Sequence, residues 1–115
     1  MRIAIPANGK DLQSSVADRF ARAEFFIIYD DATGDYEVLE NVSFGFHGAG
    51  PRVVQYLASH RVDVMIVPGM GQNAFGALMA SGLKAYLARP GSVKDNIELF
   101  KQGKLEEMKA PRRAE

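Results

Sequence analysis

The sequence predicts a single α/β domain in which about three helices cover a mixed five-stranded sheet, in the order β-β-β-α-β-α-β-α. Three observations predict it. The first third of the chain reads as a strand followed by a hairpin. From residue 51 onward, apolar residues at helical spacing alternate with short continuous apolar runs. Finally, three glycine-bearing turns, His47-Gly48-Ala49-Gly50-Pro51, Pro68-Gly69-Met70-Gly71 and Arg89-Pro90-Gly91-Ser92, each stand where a strand hands over to a helix.

Ile3 to Pro6 reads as a short buried strand, and the polar stretch Asn8 to Arg19 as an irregular loop with room for one helical turn. A loop that long in so small a domain points to function. Phe25-Phe26-Ile27-Ile28-Tyr29 is strongly β-prone, Asp30 to Asp35 is a turn, and Tyr36 to Asn41 alternates as a partly exposed strand, which together make a β-hairpin.

Val53, Val54 and Leu57 then fall on one face of a helix over Pro51 to His60, with Pro51 in its first turn. Val64-Met65-Ile66-Val67 fits a strand covered on both faces, and Asn73 to Ser81 a second helix that buries Phe75, Leu78 and Met79 and stops at Gly82. Ala85-Tyr86-Leu87-Ala88 makes the last strand. Ser92, with Asp95 three residues on, caps a third helix that buries Val93, Ile97 and Phe100 and closes at Gly103. From Met108 to Glu115 little remains to bury, so the expectation is a frayed tail, with the domain over 1–104 and the tail over 105–115.

With right-handed crossovers, all four strands that run upward end at one edge, which gathers the first loop and the three glycine turns. That rim collects helix N-termini, whose unpaired N–H groups and positive dipole ends suit an anionic ligand. Gly48, Gly50, Gly69 and Gly71 either admit a close ligand or only make tight turns. His47 is the sharpest side chain there, readable as a metal ligand, an anion donor or a polar surface residue. His60 fits dipole complementarity at a helix end.

Composition narrows the classes. Fourteen basic residues balance fourteen acidic ones, so no global field favours nucleic acid or membrane lipid. The absence of cysteine excludes disulfides, the usual cysteine-held zinc and a thiolate-held iron–sulfur cluster. No apolar run nears the roughly 20 residues of a membrane helix, and the first residues lack a signal-peptide core, so a cytoplasmic location is expected.

Four stretches together carry a family resemblance: Ile3-Ala4-Ile5-Pro6; Ser15 to Phe26, reading SVADRFARAEFF; His47-Gly48-Ala49-Gly50-Pro51-Arg52-Val53; and Gly69-Met70-Gly71-Gln72-Asn73-Ala74. Over roughly Met1 to Lys104 the chain resembles the dinitrogenase iron-molybdenum cofactor biosynthesis family, typified by NifX-like carriers and the C-terminal domain of NifB. The resemblance implies a ribonuclease-H-like fold used as a non-enzymatic carrier. Its cargo would be iron–molybdenum cofactor or a related iron–sulfur precursor, both anionic clusters, and its partners cofactor-assembly proteins. For such a cargo the candidate cofactor-binding set is His47, also as metal ligand, with Gly48, Ala49, Gly50, Gly69, Met70, Gly71, Asn73 and Arg19. The family commonly shows His-Phe-Gly in the first loop, where this chain has Arg19-Phe20-Ala21. A candidate cluster ligand is thereby lost, and Arg19 and Arg22 offer charge pairing in its place.

Two other readings stand beside this one. Gly69 to Ala74 matches G-x-G-x-x-A after a strand, as in nucleotide or phosphorylated-metabolite binders, although the acid expected about 20 residues on is absent and Arg89 stands near its place. Alternatively, the chain is an interaction module with a vestigial pocket, using the hairpin edge or the tail. An enzyme is disfavoured: strand one lacks a carboxylate and there is no P-loop lysine motif. Phe44 and Phe46, beside His47, are readable as pocket lining, loop cover or a contact between chains.

Overall fold

In the computed structural model, residues 1–41 and 49–112 are described. They form β1 (Arg2–Ala7), β2 (Phe25–Asp30), β3 (Tyr36–Glu40), α1 (Ala49–Ser59), β4 (Val64–Val67), α2 (Gln72–Ala80), β5 (Lys84–Leu87) and α3 (Val93–Lys101). This is the predicted order. The sheet runs β3-β2-β1-β4-β5, antiparallel across the first three strands and parallel from β1 through β5, the ribonuclease-H-like arrangement.

Strand period and helix placement agree on two cores. Ala4, Phe26, Ile28, Met65 and Val67 point to one face and pack under α1 and α2; Ile3, Ile5, Ile27, Val64 and Ile66 point to the other and pack under α3. Both crossovers that advance across the sheet, through α1 and α2, therefore lie on the same side, as right-handed connections require. Arg2 closes the far end of α1, its Nε and Nη2 donating to the carbonyl of His60 at 3.1 and 2.9 Å.

Three expectations are corrected. Met79 is 61% exposed, because the contact face of α2 is set by Ala74, Phe75 and Leu78, and residue 79 turns away from both α1 and the sheet. Phe100 is only half-buried and meets Tyr86 edge-on, ring centroids 5.0 Å apart. The chain beyond Lys104 is not frayed through Arg112. Leu105 buries on the α3 face and Met108 on the opposite one, so the segment wraps the free side of β5. Leu87 N–H donates to the carbonyl of Glu106, Met108 N–H to Ala85 and Arg112 N–H to Met70, at 2.8, 2.8 and 2.7 Å. Unpaired β5 backbone, costly beside a core, is what this segment satisfies.

Candidate functional site

The carboxyl ends of β1, β3, β4 and β5 share one edge, and the first loop, residues 8–24, spans it. Connections leave in opposite directions from β1, toward β2, and from β4, toward β5, which puts the switch point of the sheet between them. Pro6, which has no N–H to give, lies past the last paired β1–β4 positions, and its carbonyl accepts Ala17 N–H at 2.9 Å. The loop thus enters where β1 and β4 part.

Two anchorages hold this loop. On the α1/α2 face Ala17, Phe20 and Ala23 are buried, with Phe20 against Phe26 at 5.8 Å, while Asn41 Nδ2 donates to the carbonyls of Ala21 and Ala23 at 2.9 and 2.8 Å. Between these anchors Arg19 and Arg22 are exposed. On the α3 side the loop carbonyls of Ser14 and Leu12 accept Val93 N–H and Lys94 N–H at 2.8 and 2.9 Å.

Those last bonds correct the expectation of three equivalent helix N-termini. α3 is closed by its own capping box: Ser92 Oγ accepts from Asp95 N–H at 3.0 Å and Asp95 Oδ2 from Ser92 N–H at 3.4 Å. Its first-turn donors are spent, and Asp95 sets a carboxylate at its positive end. α2 differs. Its N-cap is Gly71, at φ −68° and ψ 173°, with no side-chain cap bond, so the N–H groups of its first turn have no helical carbonyl and, among the described residues, no side-chain acceptor. Among the described residues neither packing nor backbone angle demands a glycine there, since none of their atoms lies within 4 Å of where its Cβ would stand. What the residue keeps clear is the space above the first turn of α2.

The remaining sequence-derived residues divide. Asn73 is exposed in that first turn, beside Gly71. Gly69 takes φ 157° and is buried beneath the turn. Met70 is 2% exposed and packs into the α1/α2 core, so its thioether offers no surface to the rim. Ala49 and Gly50 open α1 as described, and Gly50 faces Ala74 across the helix pair. His47 and Gly48 lie outside the described residues, as do Phe44 and Phe46. Among the described residues no cluster of three or more His, Asp or Glu could hold a metal ion.

Sequence reasoning missed Asn96. It is fully buried, takes Arg89 N–H on Oδ1 at 2.8 Å and donates to the carbonyls of Arg89 and Ser92 at 2.9 and 3.0 Å, which fixes the β5–α3 turn. The signal was present: Asn96 is the polar member of the stripe Val93, Asn96, Ile97, Phe100.

Residues 1–103 match the family described as dinitrogenase iron-molybdenum cofactor. An uncharacterized protein of Methanocaldococcus jannaschii is 32% identical over 110 residues, covering 92% of this chain and 90% of its own. The apo form of the orange protein from Desulfovibrio gigas superimposes with a TM-score of 0.93 at 33% identity, covering 97% of this chain and 96% of that one. A Thermotoga protein provisionally assigned as a NifB protein of the DUF35 family gives 0.86 at 49% identity, with 99% and 98% covered. Among the described residues no helix is long and apolar enough to cross a membrane.

Proposed function

The chain belongs to the dinitrogenase iron-molybdenum cofactor family, and from that premise we propose that it is a non-enzymatic carrier of an anionic metal–sulfur cluster, iron–molybdenum cofactor or an iron–sulfur precursor, passed between cofactor-assembly proteins. The observation that carries this reading is the first turn of α2, which among the described residues has no side-chain cap and lies beneath open space at Gly71. Backbone N–H groups and a helix dipole directed into such a space stabilise an anion without a bond to metal. Donor chemistry fits a cluster held by its sulfide and carboxylate edges: no thiolate exists in the chain, and Arg19 and Arg22 are exposed on the anchored first loop.

In this reading Gly71 and the N–H groups of Gln72, Asn73 and Ala74 form the floor, with the Asn73 amide at its side. Gly69 sets the turn, Ala49 and Gly50 place α1 alongside, and His47, with Gly48, is assigned as the metal ligand. Met70 is left out of the contacts, because it supports the turn from within the core. Loose retention suits a carrier, since a cargo held mainly by hydrogen bonds and charge leaves without breaking a set of metal–ligand bonds.

The test is anaerobic titration with isolated iron–molybdenum cofactor and with its iron–sulfur precursor, followed by gel filtration and metal analysis. Stoichiometric co-elution is expected for the wild type, reduced in His47→Ala and in Gly71→Asp. Failure of both clusters to co-elute with the wild type overturns the carrier reading, and undiminished binding by Gly71→Asp removes the α2 floor from it.

A further inference from the structure

A groove of about 570 Å³ lies on the free side of β5, at the β5 end of the rim, with neither the first loop nor Gly71 in its walls. Its walls are the turn after β4 at Pro68, the turn after β5 at Arg89, the corner from Gly103 to Glu106, and Arg112. That volume is in the range of small-molecule sites. Among the described residues its charged side chains are Arg89, Lys104 and Arg112 against one carboxylate, Glu106, in a chain whose formal charge is balanced.

Each of these cations stands on pinned backbone. Buried Asn96 grips the amide and the carbonyl of Arg89. Lys104 N–H donates to the carbonyl of Leu99 at 2.9 Å, next to Gly103 at φ 70°. Arg112 N–H donates to Met70 at 2.7 Å. Fixed backbone lowers the ordering cost that a ligand must meet. The one internal pair, Arg112 Nη1 to Glu106 Oε2 at 3.9 Å, joins side chains 63% and 75% exposed. A pair that open is weak, so an incoming anion displaces Glu106 at little cost.

We infer that this groove is a second ligand site, for a small organic dianion, held by Arg89, Lys104 and Arg112 in competition with Glu106. The site involves no metal coordination and stands independently of the cluster reading. Its two charges come either from a phosphate monoester or from a pair of carboxylates. A polyanion is disfavoured, because the chain's formal net charge is zero and supplies no global attraction.

The experiment is amide chemical-shift titration of the whole chain with glycerol 3-phosphate and, separately, succinate, with sodium chloride at matched ionic strength as the control. Saturable shifts are expected at residues 87–89, 104–106 and 112 with at least one probe, and the tighter probe identifies the source of charge. Arg89→Gln combined with Lys104→Gln weakens that binding at least tenfold, and Glu106→Gln tightens it several-fold. All three changes are on exposed side chains, so an unperturbed spectrum without ligand certifies folding. The inference is overturned if neither probe saturates, if the shifts centre on residues 71–74 instead, or if the charge-removing pair binds as the wild type does.

Discussion

Gly50 on α1 and Ala74 on α2 approach so closely that a Cβ on the glycine would stand 2.9 Å from the Cβ of the alanine. Real side chains do not tolerate that distance, and the neighbour here is a short, rigid methyl. The contact sets the distance between the two helices on the α1/α2 face, and the first turn of α2 that floors the proposed cargo site is fixed through it. Gly50→Ala therefore destabilises by up to about 2 kcal/mol, the overpacking cost of about 1–3 kcal/mol less a gain in helix propensity of about 1 kcal/mol. The check is a double-mutant cycle in urea. Ala74→Gly should recover part of the loss, and strictly additive effects would show that the two positions do not share a strain.

Gly71 separates stability from binding. Gly71→Asp supplies the side-chain cap that α2 lacks, so the variant should be as stable as the wild type or more stable by a few tenths of a kcal/mol. Its carboxylate occupies the same donors and repels an anion, so cluster affinity falls. Thermal melts and anaerobic titration on one preparation read both. A variant that loses stability together with binding would mark Gly71 as a structural residue only.

Asn96 joins three hydrogen bonds inside the protein, two of them to one residue, Arg89. Asn96→Ala strands those backbone groups and costs about 1–3 kcal/mol. Exchange of the Arg89 amide should accelerate more than that of the β4 amides, because the damage is local to the turn. Uniform acceleration across the sheet would indicate that the loss is global instead.

Met108 distinguishes a docked strap from a frayed tail. At 4% exposure in the α1/α2 core, its replacement by alanine costs about 2–5 kcal/mol, whereas exposed Met79→Ala is near neutral. Denaturant midpoints of the two variants decide the matter, and equal midpoints would return the segment to the status of a tail.

Ser92 and Asp95 close the N-terminus of α3 with their own side chains. Ser92→Ala costs about 1 kcal/mol of stability and speeds amide exchange at Asp95. It should leave cluster binding unchanged, since α3 contributes no free donor to the rim. Lost binding with an intact fold would restore the third helix to the site.

Local chemistry settled much of this protein before any packing was considered. Val64 to Val67, a four-residue apolar run, read as a strand covered on both faces and is one, and Ser92 with Asp95 three residues later fixed the start of α3, because those signals act within a few residues. The family, too, is written in short stretches along the chain. What the tertiary structure alone decided concerns partners distant in sequence. Gly50 proved to be spacing for Ala74, Asn96 a brace for Arg89, and Met108 a core residue carried across the edge of β5. Two turns with the same glycine signature had different fates, because α3 met the carbonyls of Ser14 and Leu12 while, among the described residues, nothing stands within 4 Å of the Cβ position at Gly71. A free N–H group is a property of what lies opposite it, and no window of sequence contains that.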